Sequence, residues 1–236
     1  MKKTTILFFF LLLTVNLLGQ DSTYSFDLFK VQLDKSKLEV RDEQQNIIYR
    51  KTFFNPNAEV EDLDGDGVDE YLITDYENKG GKTYYSLYVF NTIDSFYVAD
   101  SINSGLMEPY PTFSQELKGI ILVSGNSKFD VFNSDSDDVF LPLNCWKYEN
   151  GQLFDVNDEL YDYYISENDT LIDYIDSYLE NNSSDCNTTD KLKAVLASVY
   201  ANYLNAGEKI LANQFLRKYY FCKDVEVFKQ KINMLF

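Results

Sequence analysis

The first two thirds of the chain carry short runs in which apolar and polar residues alternate, a pattern typical of half-buried β-strands. Polar turns separate the runs, so each group of runs is predicted to fold as a hairpin or a longer meander. Three such groups follow one another, and their predicted strands cover residues 29–33, 38–40 and 47–49, then 71–74, 86–90 and 95–99, then 117–123, 139–148 and 152–154. The turn residues include Gly80-Gly81 and Asn150-Gly151, and an Asn-Gly pair is a strong hairpin signal.

After Tyr164 the apolar residues recur at intervals of three and four, which indicates amphipathic helices. Four helices are predicted, and their apolar positions are Leu171, Ile175, Tyr178 and Leu179, then Leu192, Val195, Leu196, Val199 and Tyr203, then Ile210, Leu211, Phe215, Leu216 and Tyr219, then Val225, Phe228, Ile232 and Leu235. Residues 197–220 resemble one tetratricopeptide-like helix pair. Since a solenoid needs about three repeats, a helical cap on the β-rich part is the favoured interpretation.

These two patterns predict an α+β chain. A β-rich domain is expected over residues 21–160, and an α-helical domain is expected over residues 165–236. The β-rich part is also rich in aromatic residues, which favour sheets, and the whole chain has 19 Tyr and 18 Phe.

The N-terminal segment has the features of a secretory signal peptide. Lys2 and Lys3 precede an apolar run over residues 6–13, and the small Gly19 suggests cleavage close to Gln20. The first cysteine is Cys145, so lipid attachment at a mature N-terminus is not expected. We therefore predict that residues 1–20 are removed and that the protein is secreted or periplasmic, with no membrane span.

Residues 62–70 read Asp-Leu-Asp-Gly-Asp-Gly-Val-Asp-Glu, which places carboxylates at loop positions 1, 3, 5 and 9. Ca²⁺ takes about six to eight oxygen ligands, and alternate acidic side chains on a tight loop can supply them. The glycine at position 6, Gly67, permits the sharp reversal that such a loop needs. The loop is predicted to bind Ca²⁺ through the side chains of Asp62, Asp64, Asp66 and Glu70 and the backbone carbonyl of Val68.

An EF-hand would need a glutamate at position 12 and helices on both sides, but position 12 is Ile73 and a predicted strand follows. The pattern D-x-D-G-D-G-x-x-E running into an apolar strand resembles the calcium loop of FG-GAP and VCBS repeats. This resemblance implies β-propeller blades, structural Ca²⁺, and a role in adhesion or ligand display. Because a propeller has about four to eight blades, three groups of strands predict a partial propeller or an open sandwich of propeller-like sheets. The alternative is an acidic turn without metal, which is disfavoured because clustered carboxylates repel one another.

Charge and composition exclude several classes of function. The formal net charge is −17, and it becomes −19 without Lys2 and Lys3, so nucleic acid is not expected as a partner. The chain has no histidine, which removes Ser-His-Asp and Cys-His catalysis. We expect an exported, non-catalytic binding or adhesion-type module with an unknown protein or glycan ligand. The alternative is a secreted carbohydrate-binding or hydrolase-inhibitor protein that uses exposed tyrosines and Trp146.

The mature protein is expected to show no hydrolytic or transfer activity, because the sequence has neither histidine nor a recognisable nucleophile motif. Assays against glycan and peptide libraries measure this. Glycosidase chemistry needs only two carboxylates, so the contrary result would be turnover that a single Asp or Glu substitution abolishes.

Three cysteines are too few for a disulfide scaffold, and they suggest one bond and one thiol. Cys186 precedes the second predicted helix and Cys222 follows the third. A short turn makes these helices antiparallel neighbours, which brings the two cysteines within reach of the Cα separation of about 5.5 Å that a disulfide needs. We predict a Cys186–Cys222 bond and a free Cys145, with pairing of Cys145 as the alternative. Peptide mapping without reduction measures this, and a free Cys186 thiol in the secreted protein would contradict it.

Overall fold

The computed structural model describes residues 22–133, 138–181 and 190–236, without the side chains of residues 181 and 190. The described residues form three antiparallel sheets of four strands, none of them closed, followed by four α-helices. The α+β prediction is therefore confirmed. The predicted signal peptide lies outside the described residues.

Each sheet is a meander in which every strand pairs with its neighbours along the chain. Sheet 1 consists of β1 (Ser22–Ser25), β2 (Phe29–Asp34), β3 (Lys37–Asp42) and β4 (Ile47–Thr52). Sheet 2 consists of β5 (Pro56–Glu61), β6 (Glu70–Lys79), β7 (Lys82–Asn91) and β8 (Tyr97–Gly105). Sheet 3 consists of β9 (Tyr110–Ser114), β10 (Gly119–Gly125), β11 (Leu143–Glu149) and β12 (Gln152–Asp155). The helices are α1 (Tyr161–Asn181), α2 (Asp190–Asn205), α3 (Lys209–Tyr219) and α4 (Val225–Leu235).

The hairpins that the turn residues predicted are present. Gly80 and Gly81 have φ values of 59° and 79°, and Asn150 and Gly151 have 51° and 78°. Two consecutive residues with positive φ form the tight turn that matches the twist of antiparallel strands. These turns join β6 to β7 and β11 to β12.

The first strand of every sheet was not predicted. β1, β5 and β9 are the edge strands on one side of their sheets, and their sequences are short, polar or interrupted by proline, as with Pro56 and Pro111. Edge strands tolerate such residues because one side of the strand has no hydrogen-bond partner. Each predicted group of three strands is therefore a sheet of four strands in the structure.

The sheets stack face to face. Tyr71 and Ile73 of β6 pack against sheet 1, whereas Leu72 faces sheet 3 and packs with Leu122 and Tyr148. Sheet 2 is thus covered on both faces, which explains why the first half of β6 is buried throughout. The opposite face of sheet 3 packs against the start of α1.

The helices are anchored to sheet 3 through α2. Both backbone groups of Leu143 are held there, since Asn202 Oδ1 accepts its N–H at 2.9 Å and Asn205 Nδ2 donates to its carbonyl at 2.7 Å. Tyr164 of α1 is fully buried at the same place, and its hydroxyl donates to Asn157 Oδ1. Among the described helices, none is long and apolar enough to cross a bilayer.

Cys145 is a buried free thiol. Burial raises the pKa of its thiol to about 12, which makes it chemically inert at neutral pH. Cys222 is disulfide-bonded, and Cys186 lies outside the described residues. The Cys186–Cys222 pairing therefore stays a prediction.

Asp75 of β6 fixes the connection between sheets 1 and 2. Its Oδ1 accepts the backbone N–H groups of Phe54 and Asn55 at 2.9 and 2.8 Å, and these residues join β4 to β5. Asp75 is itself buried.

Replacing Asp75 with alanine is expected to destabilise the fold by about 2 kcal/mol, because partly buried N–H groups lose their acceptor. Asp75→Asn keeps a carbonyl oxygen as an acceptor, so it should reduce the free energy of unfolding clearly less than Asp75→Ala does. Chemical denaturation measures both variants. A loss below about 0.5 kcal/mol for Asp75→Ala, the range of ordinary surface changes, would contradict this role.

Candidate metal centre

The loop 62–70 connects β5 to β6. Glu61 and Glu70 are opposite each other in the ladder, so residues 62–69 form the complete connection between the two strands. Gly65 and Gly67 have φ values of 78° and 88°, and no atom lies within 4 Å of the position that a Cβ would take. Glycine is therefore needed at both positions for the backbone conformation and not for space.

The aspartates hold this loop in shape. Asp62 Oδ1 accepts the N–H of Gly65 at 2.8 Å, and Asp62 Oδ2 accepts the N–H of Gly67 at 3.0 Å. Asp64 Oδ1 accepts the N–H of Asp66 at 3.2 Å, and Asp66 Oδ1 accepts the N–H of Val68 at 2.8 Å. The acidic side chains thus hold the turn through hydrogen bonds to backbone N–H groups two to five residues ahead. Short polar side chains commonly form such local bonds in turns.

Three of the predicted ligands lie together. Carboxylate oxygens of Asp62, Asp64 and Glu70 are all within 4.8 Å of one another. Asp66 is not in this group, and Val68 is 37% exposed. Asp69 is exposed, and its carbonyl accepts a hydrogen bond from the Thr92 hydroxyl at 2.6 Å.

Glu70 differs from the other carboxylates of the loop because its side chain is fully buried. Its Oε2 accepts the N–H of Leu63 at 3.0 Å, while its Oε1 is buried without a hydrogen-bond partner among the described residues. A buried carboxylate oxygen without a partner is costly unless a cation or a donor faces it. One carboxylate oxygen of Glu70 lies within 4.8 Å of carboxylate oxygens of Asp62 and Asp64, so this buried side chain belongs to their cluster.

The pKa of Glu70 reflects this environment. Burial raises it to about 7, the Leu63 N–H opposes that shift, and the negative charges of Asp64, Asp66 and Asp62 add to it. Partial burial also raises the pKa of Asp64. A cation between these carboxylates would remove the repulsion that adds to the rise in the pKa of Glu70.

Sheet 3 comes close to Glu70 through Tyr148. Leu63 and Tyr148 belong to the apolar cluster between sheets 2 and 3, and both are almost fully buried. Burial raises the pKa of Tyr148 to about 12, and the negative charge of Glu70 contributes to this rise. Tyr148 lies 78 residues further along the chain, so no local pattern in the sequence could assign it to the wall of this site.

The donor set suits a hard cation. Asp62, Asp64 and Glu70 offer only carboxylate oxygens, which suit Ca²⁺, Mg²⁺ and Mn²⁺ better than zinc or copper. The loop can add backbone oxygens and water, and Ca²⁺ accepts such irregular oxygen shells more readily than Mg²⁺ does. The residues present therefore fit Ca²⁺, with Asp66 and the Val68 carbonyl as predicted further ligands.

Comparison with protein-family models, with curated proteins and with solved structures finds no match for this chain. The resemblance to FG-GAP and VCBS repeats therefore depends on the loop residues and on the strand that follows them.

Proposed function

We propose that this protein is an exported, non-catalytic binding module in which the loop 62–70 holds a structural Ca²⁺. One observation carries the proposal: the fully buried Glu70, whose Oε1 has no hydrogen-bond partner among the described residues, clusters with the carboxylates of Asp62 and Asp64.

The proposed role of the ion is to fix the start of β6. Without a cation, the loop holds several carboxylates close together, and the most deeply buried one is the first residue of that strand. β6 has both sheet 1 and sheet 3 packed against its faces. An ion at its first residue would therefore stabilise the packing of all three sheets.

The arrangement of the sheets supports a propeller-like body as part of the proposal. Three successive four-stranded meanders pack face to face, and blades of a propeller pack in the same way. We propose a partial propeller or open sandwich, stabilised by the helices, which presents its loops to a protein or glycan.

Isothermal titration calorimetry on the chain without residues 1–20 tests the metal site. After treatment with a chelator and dialysis, the protein should bind one Ca²⁺ with a Kd of about 10⁻⁴–10⁻³ M, as extracellular modules do. Mg²⁺ should bind more weakly. Absence of binding heat at millimolar Ca²⁺, or equal affinity for Na⁺, would contradict the proposal.

A further inference from the structure

A cleft of about 630 Å³ lies where sheet 2, sheet 3 and the helices meet. Its volume is within the range of about 300–1,000 Å³ that small-molecule sites occupy. The side chains that matter for its chemistry are mostly polar and come from parts of the chain other than the loop 62–70: Asn103, Lys128, Asn144, Trp146, Asp155 and Asp158.

Trp146 supplies part of the apolar surface of the cleft, together with Leu204 and Phe236. Its indole Nε1 donates a hydrogen bond to the hydroxyl of the buried Ser124 at 2.9 Å, which fixes the orientation of the ring. The ring is only partly buried. Asp155 is opposite Trp146 in the β11–β12 ladder, so a carboxylate is next to the aromatic face. A flat apolar surface with polar groups at its edge fits an amphipathic ring, which has C–H groups on its faces and hydroxyls at its rim.

Two asparagines have hydrogen-bonding groups to offer. Asn103 uses its oxygen to accept the N–H of Gly105 at 3.2 Å, and its amide nitrogen has no partner among the described residues. The side chain of Asn144 likewise makes no hydrogen bond to any described residue. An amide presents donors and an acceptor side by side, which is what a pair of neighbouring hydroxyls requires.

Two other asparagines of the cleft have a structural role. Asn157 Oδ1 accepts the Cys145 N–H at 2.7 Å, and its amide donates to Asp155 at 3.0 Å. Asn205 donates to the Leu143 carbonyl. These bonds make the wall of the cleft rigid, so its shape is preorganised and costs little ordering on binding.

The charged residues that line the cleft restrict the class of ligand that it can bind. The cleft contains Lys128 together with Asp155 and Asp158, within a chain of net charge −17, so an anionic ligand would be repelled. A purely apolar ligand would leave the amides and carboxylates desolvated without partners, which is costly. A neutral polyhydroxylated ligand meets neither penalty.

We infer that this cleft binds a neutral saccharide, which stacks one face of a sugar ring on Trp146 and directs hydroxyls to Asn103, Asn144 and Asp155. This gives the proposed binding module a ligand class, but it depends on residues separate from the metal centre.

The single tryptophan of the chain reports directly on this cleft. The chain without residues 1–20 is titrated with glucose, galactose, mannose, N-acetylglucosamine and their disaccharides while Trp146 fluorescence is followed, and calorimetry confirms each hit. At least one sugar should give a saturable change. Asn144→Ala should weaken its affinity about tenfold, the effect of losing a net hydrogen bond to a ligand, and Trp146→Ala should abolish binding in calorimetry.

Asn57→Ala is the matched control, because Asn57 is an exposed strand residue outside the cleft. It should leave saccharide affinity unchanged. Failure of every sugar at millimolar concentration, or equal affinity of Asn144→Ala and the wild type, would overturn the inference. The titrations are run with Ca²⁺ and with chelator. Ca²⁺ binding without saccharide binding overturns the cleft alone, and saccharide binding without Ca²⁺ binding overturns the metal centre alone.

Discussion

Replacing Glu70 with glutamine is expected to abolish the stabilisation by Ca²⁺ while leaving the metal-free protein at least as stable as the wild type. The amide has nearly the same shape, and its oxygen can still accept the Leu63 N–H. It lacks the negative charge that is buried beside Asp62 and Asp64. In the metal-free protein this removes a repulsion, whereas in the calcium-bound protein it removes the most deeply buried ligand.

The size of the effect follows from mass action. A ligand at 100 times its Kd stabilises the folded protein by about 2.7 kcal/mol, and for a chain of this length about 1 kcal/mol shifts the Tm by 2–4 °C. Saturating Ca²⁺ should therefore raise the Tm of the wild type by about 5–10 °C. The Tm of Glu70→Gln should not change. Differential scanning calorimetry above pH 7, where Glu70 is ionised in the metal-free protein, measures both.

The control is Glu43→Gln, since Glu43 is an exposed glutamate in the turn between β3 and β4. It should keep the full response to Ca²⁺. An equal rise in Tm for Glu70→Gln and the wild type would show that Glu70 is not a ligand. A metal-free Glu70→Gln that is much less stable than the wild type would show that Glu70 has a purely structural role.

The sequence predicted those features that depend on neighbours along the chain. The hairpin at Asn150-Gly151 and the curled loop at residues 62–70 are local, because turn residues and short carboxylates act on backbone groups a few positions away. The four helices were predicted from the spacing of their apolar residues for the same reason. β6 is longer than its predicted core of 71–74, because its second half is polar and remains in the sheet through pairing with β7.

Features that depend on packing between distant segments were not predictable. The charge of Glu70 acts on Tyr148, which lies on another sheet, and the cleft brings Asn103 and Asn144 together from β8 and β11. The order of the layers is also a result of packing, since the apolar residues of β6 do not specify which sheet covers each face. A pattern with period two assigns residues to faces and leaves the partner of each face open.

Gly105→Ala is expected to destabilise the protein by about 2–5 kcal/mol, because two penalties act at this residue. Gly105 ends β8 with a φ of 64°, and a side chain in this left-handed region costs about 1–2 kcal/mol. A Cβ would also lie 2.6 Å from Asp130 Oδ1 and 2.9 Å from the Cα of Ser127. The aspartate could rotate, but the Cα of Ser127 is backbone, so the short helical turn Ser127–Phe132 would have to move.

Gly80→Ala separates the two penalties. Gly80 has a similar φ of 59°, but nothing lies within 4 Å of its Cβ position, so this variant should lose only the conformational term. The difference between the variants, measured by chemical denaturation, should be the overpacking cost of about 1–3 kcal/mol. If both variants lose the same free energy of unfolding, the turn at Ser127 can move away from the new Cβ at little cost. A larger loss at Gly105 would show that this turn, whose Phe129 and Phe132 pack into the helical core, couples sheet 2 to the helices.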